Sequence, residues 1–235
     1  MRTLFSEHFT GDSPKVYRWN VMDDLSATKV ANHCMTGTGI QGYTPSEVKV
    51  SNGLCSLTAT ELKAPIGAYN YTSGGMTTEG KFSFLYGRVD VEAQVRVTNG
   101  SWPAFWLINN GDVSWFAQYE IDFMEMRDVD TTLGTYVHSY KEHDPGETAV
   151  VVNDGPFSTV PPLGLAMHKY SVDWRKGWIK YYLDDKLLDT TTNLSIIPTR
   201  PMYLLVDNAV GGWSTITSQS VFPISVDIKS IVVVQ

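Results

Sequence analysis

The chain has 235 residues, 43% of them apolar and 18% charged, with a formal net charge of −7. That length and balance fit one sizeable globular domain spanning residues 1–235, and an acidic chain without a basic cluster argues against nucleic acid and anionic membrane surfaces as partners. No apolar run approaches the ~20 residues that cross a bilayer.

The opening residues, MRTLFSEHFTGDS, lack the apolar centre of a signal peptide. An extracellular role would therefore require a mature form, carriage on a larger particle or another export route. Asp23 to Asn32 is read as a short turn of helix. Cys34 and Cys55 lie on either side of a strand-turn-strand and read equally as a disulfide or as two buried thiols. Lys49 to Ala59 reads as a hairpin turning at Asn52-Gly53. From Val89 to Val97 every odd position is apolar and every even one polar, the alternation of a strand with one buried face.

Aromatic residues make up 12% of the chain, including seven Trp, a surplus that suits stacking surfaces as well as core. Trp102, Trp106 and Trp115 cluster ahead of the most unusual segment. Aromatic faces stack on the apolar faces of sugar rings, so the three are candidate platforms. Trp102 and Trp106 would share a strand face, with Pro103 expected to interrupt the strand.

The unusual segment is Glu120-Ile-Asp-Phe-Met-Glu-Met126. Glu120 and Asp122 fall on one face of a strand, but Glu125 is out of phase with them. One extra residue at Phe123-Met124, a β-bulge, would return Glu125 to their face. The two Glu would then sit about 13 Å apart at their Cα atoms. Side chains leaning inward could bring the carboxyl groups to ~5–5.5 Å, the spacing of a retaining glycosidase. One Glu would attack an anomeric carbon and the other would protonate the leaving oxygen, while Asp122 tunes the nucleophile. A carboxylate row also suits Ca²⁺ or Mg²⁺, but such sites draw on Asn, Gly and loop backbone, which this segment lacks.

Further on, Tyr170 to Tyr182 reads as a hairpin turning at Arg175-Lys-Gly177, and Leu183 to Leu187 extends it through a second turn. Ile224 to Val234 supplies a closing strand. His138, Asn70, Asn208 and Trp213 are candidate sugar contacts. Short strands with regular turns and almost no helix predict an all-β, two-sheet antiparallel jelly-roll sandwich.

Glu120-Ile-Asp-Phe-Met-Glu125 resembles the bulged Glu-x-Asp-x-x-Glu signature of glycoside hydrolase family 16, as found in laminarinases and agarases. The surrounding segments resemble that family in order: Ser73-Gly74, Phe82 to Val89, Trp102 to Leu107, Tyr136-Val-His138, His168 to Trp174, Trp178 to Asp184, Pro201 to Trp213 and Val226 to Val232. The resemblance implies a concave cleft and endo-acting, retaining hydrolysis of a β-linked polysaccharide. By motif position Glu120 is the nucleophile, Asp122 its partner and Glu125 the acid/base. It implies no cofactor for catalysis, and a structural Ca²⁺ on the convex side held by Asp227 with backbone groups near Glu7 and Gly53. A β-1,3-glucanase acting as a monomer is the expected form. Agarase- or galactanase-like and mixed-linkage enzymes stand as alternatives, so the polysaccharide partner is a β-glucan or a galactan. A non-catalytic carbohydrate-binding domain would not need both Glu. Glu92, where many relatives carry Arg, and Tyr119, where laminarinases tend to have Gly, depart from the pattern and bear on sugar specificity.

Overall fold

The computed structural model describes residues 1–26, 39–109, 119–140, 151–154 and 157–235. Among these, the strands form one ten-stranded and one eight-stranded sheet, almost wholly antiparallel. One exception is the parallel pairing of Gln41–Tyr43 with Tyr69–Ser73. This is the expected two-sheet β-sandwich. The strands near the two ends of the chain lie side by side: Thr3–Glu7 pairs with Ile224–Val234.

The ten-stranded sheet shows how the alternation works. In Gly87–Val95 residues alternate strictly between buried and half-buried, so Val89, Val91, Ala93 and Val95 enter the core. The Val48–Ser51 and Leu54–Ile66 strands turn at Asn52 (φ 52°) and Gly53 (φ 77°). Two consecutive positive φ values make the type I′ geometry that Asn-Gly favours, because its twist matches that of the flanking strands. Asp184 (φ 50°) and Asp185 (φ 62°) make the second turn of the later hairpin in the same way.

The eight-stranded sheet carries the segment of interest. Its central strands are Tyr119–Arg127, Ser101–Asn109 and Met202–Val210, with Val129–Tyr140 flanking the first of them. Ile121, Phe105, Leu107, Leu204 and Val206 point between the sheets, where they pack with Val89, Val91, Tyr170 and Trp174. The opposite face of the same strands holds a second cluster: Met22, Tyr43, Ala104, Trp106, Ile108, Tyr203 and Leu205. Both faces of these strands are therefore covered, which explains their near-continuous apolar sequence.

Two expectations change. Pro103 does not interrupt its strand. It pairs with Asn208 on one side, and on the other side the ladder to Tyr119–Arg127 ends at Ala104, so the missing N–H falls where no partner strand needs it. Asp23 to Ser26 form a bridge and bends, not helix, and residues 27–32 lie outside the described residues. Cys55 is a free, fully buried thiol with its Sγ 4.0 Å from Met76 Sδ. Cys34 lies outside the described residues.

The bulge is present. Asp122 pairs with Trp106 and Glu125 with Ala104, so three steps along one strand match two along its neighbour. On the other side Asp122 pairs with Tyr136 and Glu125 with Gly134, with the same extra residue. Phe123 and Met124 are consecutive, yet both are buried in the inter-sheet core. A straight strand would place one of them on the opposite face. Phe123→Ala is expected to cost about 3–5 kcal/mol and Met124→Ala about 2–5 kcal/mol, as for other truncations in packed cores. Urea denaturation checks this, and a cost below about 1 kcal/mol at either position contradicts the bulged geometry.

Candidate active site

Because of the extra residue, Glu120, Asp122 and Glu125 all leave the strand on the face turned away from the inter-sheet core. Asp122 is 2% exposed and Glu125 5%, while Glu120 is half-buried. The neighbouring strand supplies Trp102 and Trp106 on the same face, as their spacing predicts. The Trp102 indole Nε1–H donates to Glu125 Oε1 at 2.7 Å. An indole N–H is a donor only. The oxygen it touches must therefore accept, which favours Oε2 as the oxygen that carries a proton.

Trp102 also stacks on Trp213, with ring centroids 5.7 Å apart and planes 7° from parallel. Trp213 is 59% exposed, and the Arg127 guanidinium lies 5.4 Å from its ring centroid. Asp128, at the end of the acid-bearing strand, holds the turn that carries Trp213. Its Oδ1 accepts from the Gly100 N–H at 2.9 Å, the Thr215 N–H at 3.2 Å and the Ser214 hydroxyl. Burial raises the Asp128 pKa, but these hydrogen bonds and Arg127 outweigh it and keep the carboxyl ionised. The aromatic pair beside Glu125 is thus tied to the same strand that positions Glu125.

Trp106 is 5% exposed, and its Nε1–H donates to Asp207 Oδ1 at 2.9 Å. The other oxygen of Asp207 accepts from the Tyr43 hydroxyl at 2.8 Å. Burial pushes the Asp207 carboxyl up to about 6, and the charge of Glu120 adds to the rise; donors from Trp106, Tyr43 and the Ala209 backbone oppose it. Tyr136 stands in register with Asp122. Its hydroxyl is held above its usual range by burial and then by the charges of Glu125 and Asp122.

Sequence reasoning missed Asp207, Tyr43 and Tyr136. It selected Asn208, one residue too far. Asn208 points between the sheets, where its amide donates to the Leu57 and Ile224 carbonyls at 3.2 Å each. It braces the two sheets and does not face the acids. Asn70 is exposed in the Tyr69–Ser73 strand of the ten-stranded sheet. His138 is in backbone register with Glu120. Trp115 lies outside the described residues. Glu92 belongs to the other sheet and pairs with Lys229 at 2.8 Å, so that departure does not touch the acids. Tyr119 is half-buried beside the core, and its N–H donates to Asn109 Oδ1 at 2.6 Å.

The side chains at the residues expected near calcium are engaged by other groups. Asp227 gives one oxygen to the Ser56 hydroxyl at 2.6 Å and the other to Arg96 at 2.5 Å. Glu7 accepts from Lys15 at 3.0 Å and from the His8 and Phe9 N–H groups. Gly53 is committed to its hairpin turn. Among the described residues, no group of three or more His, Cys, Asp or Glu side chains is placed to hold a metal ion. The charges here are already neutralised by side-chain cations.

The sequence model described as Glycosyl hydrolases family 16 matches residues 40–224. An endo-1,3-1,4-beta-glycanase of Rhizobium meliloti (strain 1021) is 33% identical over 170 residues, covering 69% of this chain and 34% of the relative. A glucan endo-1,3-beta-glucosidase of Niallia circulans is 29% identical over 238 residues, covering 90% of this chain and 34% of the relative. The chain thus spans about a third of the length of these curated relatives. The crystal structure of a laminarinase from Flavobacterium sp. UMI-01 superposes with a TM-score of 0.83 at 26% identity, covering 100% of both chains.

The raised Asp207 pKa carries a sign. Its folded value lies above the unfolded value of about 3.9, so the native state holds the proton more tightly. Ionisation of Asp207 therefore subtracts stability as the pH rises from about 4 through about 6. Asp207→Asn cannot ionise, and its melting temperature should gain on that of the unsubstituted protein between about pH 4 and 7. Thermal melts at the two pH values check this; a constant or shrinking difference contradicts it.

Proposed function

The chain belongs to glycosyl hydrolase family 16, and from that premise we propose that it is an endo-acting, retaining β-glucanase that cleaves internal β-1,3 linkages. The observation that carries this reading is the placement of Glu120, Asp122 and Glu125 on one face across the bulge, with Trp102 bound to Glu125.

The chemistry follows from the two Glu environments. Glu120, half-buried at the start of the row, attacks the anomeric carbon and forms a covalent glycosyl-enzyme. Glu125 delivers the proton on Oε2 to the departing glycosidic oxygen, because Oε1 is committed to the Trp102 indole. The leaving sugar then departs as an alcohol. Water replaces it, Glu125 takes a proton from that water, and the resulting attack releases the sugar with its β configuration. Asp122, between the two Glu and almost fully buried, keeps negative charge beside the centre where oxocarbenium character develops. Trp213, more than half exposed and stacked on Trp102, extends the binding surface past Glu125.

The chain's similarity to an enzyme named as an endo-1,3-1,4-beta-glycanase favours mixed-linkage β-glucan as a second substrate. A non-catalytic sugar-binding role has less support, since it would not require two Glu re-aimed to one face by a bulge.

Two experiments test the reading. Glu120→Gln should lower hydrolysis of laminarin by at least about 10³-fold while leaving binding in place, because it removes the nucleophile and little volume. Unchanged turnover rejects Glu120 as nucleophile, and NMR showing an initial α product rejects retention. Trp102→Phe keeps a ring against Trp213 but deletes the donor to Glu125. It should reduce kcat/KM by about 10–100-fold, the scale of a hydrogen bond to a charged group, and an undiminished kcat/KM would show that the indole does not orient the acid.

A further inference from the structure

We propose that Asp207 is a positioning residue of the site: its buried carboxyl grips the Trp106 indole and the Tyr43 hydroxyl, and so sets the floor on which Asp122 and Glu120 work. The inference rests on the hydrolase reading above for its consequence in catalysis.

Asp207 lies on the Met202–Val210 strand, two strands away from the acids and on their face of the sheet. In cross-strand register it pairs with Ala104, which in turn pairs with Glu125. One row along, Trp106 pairs with Asp122. Opposed residues on one face stand within about 4.5–5.5 Å at Cβ, so the Trp106 ring neighbours the Asp122 carboxylate while its N–H points to Asp207. Asp207 and Tyr43 are both 1% exposed. A carboxyl buried this deeply is retained at a cost in desolvation, and both of its oxygens face groups of the cleft floor.

Ionisation sets the direction of the Tyr43 contact and the strength of the indole contact. As a carboxylate, Asp207 accepts from both donors. The indole can only donate, so on protonation the added O–H falls on the Tyr43 side, and the Tyr43 hydroxyl must turn round to accept. Among the described residues, the charged and titratable groups facing Asp207 are Tyr43 and Glu120. Asp24 stands behind Tyr43, accepting its backbone N–H at 2.9 Å. Asp122 and Glu125 are two strands away on the same face. The Gly75–Thr77 strand, paired on the other side, brings no ionisable side chain.

Indole N–H resonances of ¹⁵N-labelled protein, with Trp106 identified by Trp106→Phe, report the contact directly. The Trp106 signal should move with a midpoint at about 6. The movement should vanish in Asp207→Asn and shift to higher pH in Tyr43→Phe, which removes a donor that favours the charged form. A Trp106 signal that stays still from about pH 4 to 8, or that still titrates in Asp207→Asn, overturns the proposal. In kinetics on laminarin, Asp207→Leu should lose about 10–100-fold in kcat/KM, and Asp207→Asn, which keeps an acceptor for the indole, should recover most of it. Equal losses in the two variants also overturn it. If the unsubstituted protein hydrolyses no glucan, the functional reading fails, while the resonance titration still decides whether Asp207 grips Trp106.

Discussion

A strand with two occupied faces can change which face a residue serves only by breaking its period of two. The Tyr119–Arg127 strand breaks it once, at Phe123-Met124, and the rest of the site depends on that step. Two consecutive apolar side chains enter the core, and Glu125 is released to the face of Glu120 and Asp122. Without the added residue, either Glu125 would be driven among Leu, Val and Phe side chains, or Met124 would leave the core. Burying an unpaired carboxylate costs far more than the local irregularity of a bulge. The bulge is thus the cheaper solution for this sequence, and the same step brings the carboxylates within reach of the Trp102 indole.

Around the acids, the partners are chosen by what they can donate. The Trp102 and Trp106 indoles carry a single N–H and no acceptor. Each is aimed at one oxygen of a carboxyl group, Glu125 in one case and Asp207 in the other. Such donors fix the orientation of a carboxyl and select the oxygen left for a proton, and they do so without adding a second titrating group. On the far side of the molecule the carboxylates of Glu7 and Asp227 are treated differently, being neutralised by Lys15 and Arg96. Those contacts brace strands and chain ends; the indole contacts orient carboxyl groups on the acid-bearing face.

Much of this was readable from residue order. The alternation in Val89 to Val97, the Asn-Gly turn and the phase slip in the acid-bearing segment each reflect local rules: side-chain period, positive-φ turn chemistry and the cost of a buried charge. The phase of Met202–Val210 was not readable. Both faces of that strand are buried, so Met202, Tyr203, Leu204, Leu205 and Val206 show no alternation, and the choice between Asp207 and Asn208 had no local signal. The structure turns Asp207 to the acids and Asn208 into the space between the sheets. The partners of Asp227 were unreadable for a related reason, since nothing near it in the chain reveals that Arg96 and Ser56 occupy its oxygens.

By itself, then, the sequence determined the sheet class, the turns and the three acids that share a face, because each follows from neighbours within a few residues. Tertiary structure decided the companions of those acids. Trp102 reaches Glu125 from the adjacent strand, Asp207 reaches Trp106 from the next one, and Tyr43 arrives from the opposite sheet. These contacts link residues from 23 to 164 positions apart. Their geometry is set by strand order and register, which no local pattern encodes.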